Sequence, residues 1–286
     1  MTRAGHHPHD IARATPSPVT EDDTMDATVN ATVNGTVNGT ANADRPIPFR
    51  RLLAVEARKL VDTRSGMIIT LVMVGLVVAS VVARGAVVGP KPQTLAGTAG
   101  IALGTLLPVL AILTMTGEWT HRTALTTFVL EPRRHRVLAA KSVPPLVAAV
   151  ALSLFAMLVA VPVTAVVAEV GGIPADWDVQ PIWLLGWTGV NVLVAAQGLA
   201  LGALLLNAPA AIVISLTTPV LWAVVGRLGP VGAALAEWLD LNTTCAPLTS
   251  GDMTWGEGAR LATSAVFWIV IPMAAGLVRL LRKEVT

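Results

Sequence analysis

The stretch VPPLVAAVALSLFAMLVAVPVTAVVA, Val143 to Ala168, decides the fold. It holds no charged residue. It is longer than the roughly 20 apolar residues a helix needs to cross the hydrocarbon core of a bilayer, and the surplus accommodates tilt. Outward from it lie five more runs of the same kind. The set predicts six spans, at about 65–83, 95–116, 143–168, 182–206, 208–226 and 261–278. Strand alternation appears nowhere, which excludes a β-barrel. Composition agrees: the 286 residues are 53% hydrophobic and 13% charged, with mean hydropathy +0.67. A soluble domain carries roughly 25% charged residues. The predicted class is an all-α polytopic membrane protein.

Residues 1–45 are a different material. They are polar, lack aromatics and contain the near-repeat TVNATVNGTVNGTAN, Thr28 to Asn42. Such a segment buries too little apolar surface to offset ordering entropy, so a disordered cytoplasmic tail is expected. Residues 46–64 form a third region, in which Phe49, Leu52, Leu53, Ala57 and Leu60 recur at helical spacing opposite Arg51 and Arg58. This predicts an amphipathic helix on the membrane surface, with Arg50, Arg51, Arg58 and Lys59 toward lipid phosphates. Residues 65–286 are the six-span domain. A short helix over VGAALAEWL is expected between spans five and six, dipping back without crossing.

Basic residues set the orientation. With both termini in the cytoplasm, the inner flanks hold fourteen Lys and Arg residues and the outer flanks four: Arg84, Lys91, Arg227 and Arg260. The asymmetry predicts both termini inside. Seven of the eight tryptophans fall in or near the outer half, as an interfacial belt requires. The eighth, Trp119, lies in an inner connection.

The chemistry present is sparse. The six runs hold no Asp, Glu, Lys, Arg or His between their ends, whereas ion-coupled transporters need charged groups at membrane depth. Their neutral polar residues, among them Thr98, Thr105, Thr114, Asn191, Gln197, Thr217 and Thr218, read as interhelical hydrogen-bonding groups. Gly100/Gly104 and Gly198/Gly202 have the GxxxG spacing that lets helices approach closely. No catalytic constellation, zinc motif or metal site assembles, and no phosphate-binding G-x-x-x-x-G-K-[ST] loop exists. The single cysteine, Cys245, excludes an intrachain disulfide. Such a bundle is passive, or it draws power from another subunit.

The stretch GEWTHRTALTTFVLEPRRHRVLAAK, Gly117 to Lys141, is where a partner would hold it. It is far longer than a simple reversal requires. Pro132 breaks it and favours a new helix from Arg133. Arg133, Arg134, Arg136 and Lys141 fit lipid phosphates, each contributing about 1 kcal/mol near an anionic surface. Glu118, Trp119, Thr123 and Phe128 do not serve that purpose and are the candidate partner-binding residues.

From about Ile47 to the C-terminus, the chain resembles the permease subunit of type-2 ATP-binding-cassette transporters. Three stretches carry the resemblance: RLLAVEARKLVDTRSG, GEWTHRTALTTFVLEPRRHRVLAAK and VRLLRKEV. The resemblance implies that the first is a membrane-surface elbow helix, with Glu56 making an inward polar contact. It implies that the second is a coupling helix seated in a cytosolic ATPase, with Glu118, Arg122-Thr123, Pro132, Arg136 and Lys141 on the motif. Arg122 stands where the family has a small residue. Also implied are a homodimer or a related second permease, ATP and Mg bound by the partner subunit only, and a bacterial plasma-membrane location. No nucleic-acid partner is expected. Uncharged spans point to a hydrophobic or amphipathic cargo. The alternative from another class is a membrane assembly or immunity protein that binds a partner and moves nothing.

Overall fold

The computed structural model describes residues 48–120 and 134–282. The expected tail, and the site residues Arg122, Thr123, Phe128, Pro132 and Arg133, lie outside the described residues, as do the side chains of Trp119 and Arg134. Every regular element among the described residues is helical. In order these are α1 (Phe49–Asp62), α2 (Arg64–Gly85), α3 (Pro92–Thr120), α4 (Arg134–Gly171), α5 (Pro181–Leu205), α6 (Ala208–Val225), α7 (Pro230–Leu239), α8 (Leu241–Cys245), α9 (Trp255–Ala265) and α10 (Ile271–Arg282). A π-turn over Val266–Val270 joins α9 and α10 into one rod. Among the described residues six helices are long and apolar enough to cross a membrane, so the protein is a multi-pass membrane protein.

α3 is the hub, packed against α2, α4, α5 and α6. Its buried stripe, Leu95, Ala99, Leu103, Leu107 and Leu110, repeats at helical period. Met73, Val77 and Val81 of α2 and Ala149, Ala156 and Ala160 of α4 face the same core. Gly198 of α5 sits against Pro108 of α3, where a Cβ would lie 2.6 Å from the proline Cα. Gly202 meets Ile112 and Met115 in the same way. The Gly100/Gly104 pair is looser: a Cβ at Gly100 would lie 3.3 Å from Trp187 Nε1, and one at Gly104 would touch nothing within 4 Å. Among the helical polar residues, Thr105, Thr114, Thr217 and Thr218 donate back to carbonyls of their own helices. Expected bridges between helices are made by Asn191, whose Nδ2 donates to Ser153 Oγ at 2.9 Å, and by Thr98, whose hydroxyl donates to Ser80 O at 3.4 Å.

Four of the six spanning helices run longer than their apolar runs, while α5 and α6 keep close to theirs. α4 starts at Arg134, well ahead of Val143, and keeps Pro144, Pro145 and Pro162 inside it. Hydropathy marks only the part suited to hydrocarbon, while backbone hydrogen bonding continues beyond it. Prolines persist within spans because neighbouring helices and side chains meet the backbone groups they free.

Two ends of the bundle are fixed by specific contacts. At one, α5 reverses into α6 through Leu206, in the left-handed region at φ 52°, and Asn207, whose Oδ1 accepts from Ala210 N at 3.1 Å. Arg279 of α10 closes this corner by donating to Leu204 O at 2.7 Å. At the other end, Lys91 pairs with Asp176 at 2.8 Å, tying the α2–α3 connection to the α4–α5 connection. There α7 and α8 form a small helical cap, as the sequence predicts for VGAALAEWL. Trp268 Nε1 donates to Leu239 O at 2.8 Å, and Arg260 pairs with Glu237.

Candidate functional site

α1 lies against α4 and α2. Its sequence has the spacing for one packed face, and Leu52, Leu53, Glu56 and Leu60 occupy it. Arg50, Arg51 and Arg58 are exposed. The most buried of the described side chains on this helix is thus a glutamate. A buried carboxylate needs partners, because burying an unpaired charge costs several kcal/mol. Three supply them. Glu56 Oε1 accepts from Lys59 Nζ at 2.6 Å and Glu56 Oε2 from Lys141 Nζ at 2.9 Å. Glu118 Oε1 lies 3.1 Å from Lys59 Nζ and 2.9 Å from Lys141 Nζ.

The four side chains close a ring of alternating charge, Glu56, Lys59, Glu118, Lys141 and back to Glu56. Each group touches two of opposite sign, and the formal charges sum to zero. α1 contributes two members, the end of α3 one and the start of α4 one. Thr63 holds the α1–α2 junction: its hydroxyl donates to Lys59 O at 2.6 Å and accepts from Gly66 N at 3.2 Å. Burial by itself would lower the Lys59 pKa. The hydrogen bond from Lys59 to Glu56, with the charges of Glu56 and Glu118, outweighs this and raises it above its usual 10.5.

The ring forms one wall of a half-open cavity of about 360 Å³ between α1, α2, α3 and α4. Leu60, Ile69, Leu110 and Leu113 make its apolar wall.

The residues expected on the surface divide here. Lys141, read as a lipid-phosphate anchor, is buried, with 6% of its side chain exposed. Lys59 turns inward to the two carboxylates and stays 42% exposed. Arg136 is half-buried. The physical reason lies in the early start of α4, which puts Lys141 one turn after buried Val137, on the packed side. That spacing was readable in the sequence once a helix from Arg134 is assumed. Glu118 and Glu56 are brought together by the two lysines. The remaining candidates on the 117–141 stretch fall in the undescribed residues, apart from Arg136, already placed, and the backbone of Trp119 and Arg134.

Cys245 is buried and free, at the cap end far along the chain from this site. Burial, with the Asp240 charge, pushes its thiol up to about 12. No protein-family model matches the chain, and no curated protein matches it.

Proposed function

We propose that this chain is the permease subunit of a type-2 ATP-binding-cassette exporter in a bacterial plasma membrane. In this reading both termini are cytoplasmic, two permease subunits form the membrane part, and a separate cytosolic ATPase binds ATP and Mg. Residues 117–141 are the coupling segment, α1 is the elbow helix, and the cargo is hydrophobic or amphipathic. The chain has no phosphate-binding loop of its own, so the partner supplies the power.

One observation carries the reading. The ion-pair ring joins α1 to the end of α3 and the start of α4, the two flanks of the connection that would meet the ATPase. A push on that connection therefore reaches α1, and through the Thr63 junction it reaches α2. Ion pairs that hold rigid elements together are the kind of contiguous contact through which force passes.

The test is co-purification with the cognate ATPase and measurement of its ATP turnover. Replacing Glu118 and Phe128 together, as Glu118→Gln and Phe128→Ala, should uncouple turnover from the permease. Intact assembly and turnover in that variant defeat the assignment. So does cysteine labelling that places residues 117–141 on the external side of the membrane.

A further inference from the structure

We infer that the cavity beside the ion-pair ring is a binding site for a zwitterion bearing a primary ammonium and a phosphate, the head chemistry of an ethanolamine phospholipid. The inference stands on the ring and the cavity alone and needs no ATPase.

The wall of the cavity offers both signs of hydrogen-bonding capacity at one place. A lysine ammonium carries three donors. Lys59 and Lys141 each use two, on Glu56 and Glu118. Among the described residues, one N–H on each is left for an acceptor. Glu118 uses only Oε1, and its Oε2 accepts no hydrogen bond from any described residue. Two donors on cations and one acceptor on an anion match a phosphate next to an ammonium. Because the ring sums to zero charge, neither a bare anion nor a bare cation is favoured over a molecule that carries both.

The shape agrees with an amphiphile. The volume of about 360 Å³ lies within the roughly 300–1,000 Å³ range of small-molecule sites. It admits a phosphoethanolamine head and its glycerol link, while a two-chain lipid must leave its tails outside. Opposite the charges stand Leu60, Ile69, Leu110 and Leu113. The helix that supplies Ile69 also exposes Ile68, Leu71 and Val72, a surface suited to hydrocarbon.

The free acceptor also predicts selectivity. Charge-assisted hydrogen bonds are the strong ones. A primary ammonium donates to Glu118 Oε2, a quaternary choline has no N–H to donate, and a glycerol head has no cation.

The experiment is native mass spectrometry of the full chain in detergent, with ethanolamine, choline and glycerol phospholipids of identical acyl chains. Ethanolamine adducts should exceed each of the others by about tenfold, the effect of one charge-assisted hydrogen bond. Glu118→Gln should erase most of that preference. Gly117→Leu is the control on folding: it lines the cavity, leaves the ring intact and places its Cβ where nothing lies within 4 Å. It should reduce the ethanolamine adduct by filling the space. Soluble phosphoethanolamine identifies the source. Displacement of the lipid by it marks a free zwitterion as sufficient, and failure to displace marks the lipid as the occupant. Equal adducts for the three lipids, or an ethanolamine adduct undiminished in Gly117→Leu, overturn the inference.

Discussion

Lys141 Nζ lies 2.9 Å from Glu118 Oε1, so the residues that bracket the connection between α3 and α4 are in direct contact. The contact is buried, and it is shared with Glu56 of α1. Its loss is felt by three helices at once.

Removing Lys141 leaves two buried carboxylates with only Lys59 between them. Breaking a buried ion pair from one side costs about 3–5 kcal/mol. Lys141→Met should lower the thermal unfolding midpoint in detergent by a matching amount. The double variant Glu56→Gln/Lys141→Met should recover part of the loss, because it removes charge of both signs. A double variant less stable than Lys141→Met alone would contradict the ring.

Lys59 sits in the same ring but stays 42% exposed, so solvent screens it and Lys59→Met should cost less than Lys141→Met. Its pKa is raised on folding. The stabilisation is therefore fully present below the unfolded value of 10.5 and is lost as pH rises through the higher folded value. The stability gap between wild type and Lys59→Met should be flat from about pH 6 to 9 and close only in stronger alkali. A gap that closes near neutrality would show that another group sets it.

Gly198 and Gly104, one from each GxxxG pair, face opposite surroundings. Gly198→Ala drives a Cβ into the backbone at Pro108, and overpacking costs about 1–3 kcal/mol. Gly104→Ala meets open space and gains up to about 1 kcal/mol of helix propensity. Unfolding midpoints of the two variants should move in opposite directions.

Cys245 should resist thiol reagents in the folded protein. It is buried, and its thiol is pushed up to about 12, so almost no thiolate exists at neutral pH. Maleimide labelling at pH 7.5 should appear only after denaturation, and non-reducing gels should show no dimer bridged at this position.

Asn207 caps α6 at the reversal from α5. Asn207→Ala removes the acceptor for Ala210 N, a loss of about 1 kcal/mol. Asn207→Ser should restore most of the midpoint.

Much of the architecture is legible in the residues because lipid leaves few choices. A backbone in hydrocarbon must be helical or closed in a barrel, and the apolar runs mark six places where it is helical. Their ends are less legible, since hydropathy stops at the headgroups while helices such as α4 run on to Arg134. The same effect hid Lys141: taken as part of a loop, it reads as one more surface cation. Glu56 and Lys59 are three apart and their pairing is local. The pairing of Glu56 with Lys141 spans 85 positions and depends on how α1 packs on α4. No local pattern encodes that. Likewise, Gly104 and Gly198 sit in identical spacing, and only the neighbour facing each one distinguishes them.

The ring also sets an order of events during synthesis. While the first passages are being made, Glu56 and Lys59 have only each other, and Glu118 then adds a negative charge without its full counterpart. Balance arrives with Lys141, 85 positions after Glu56. The ring that ties the leading helix to α3 and α4 can therefore close only after Lys141 has been made.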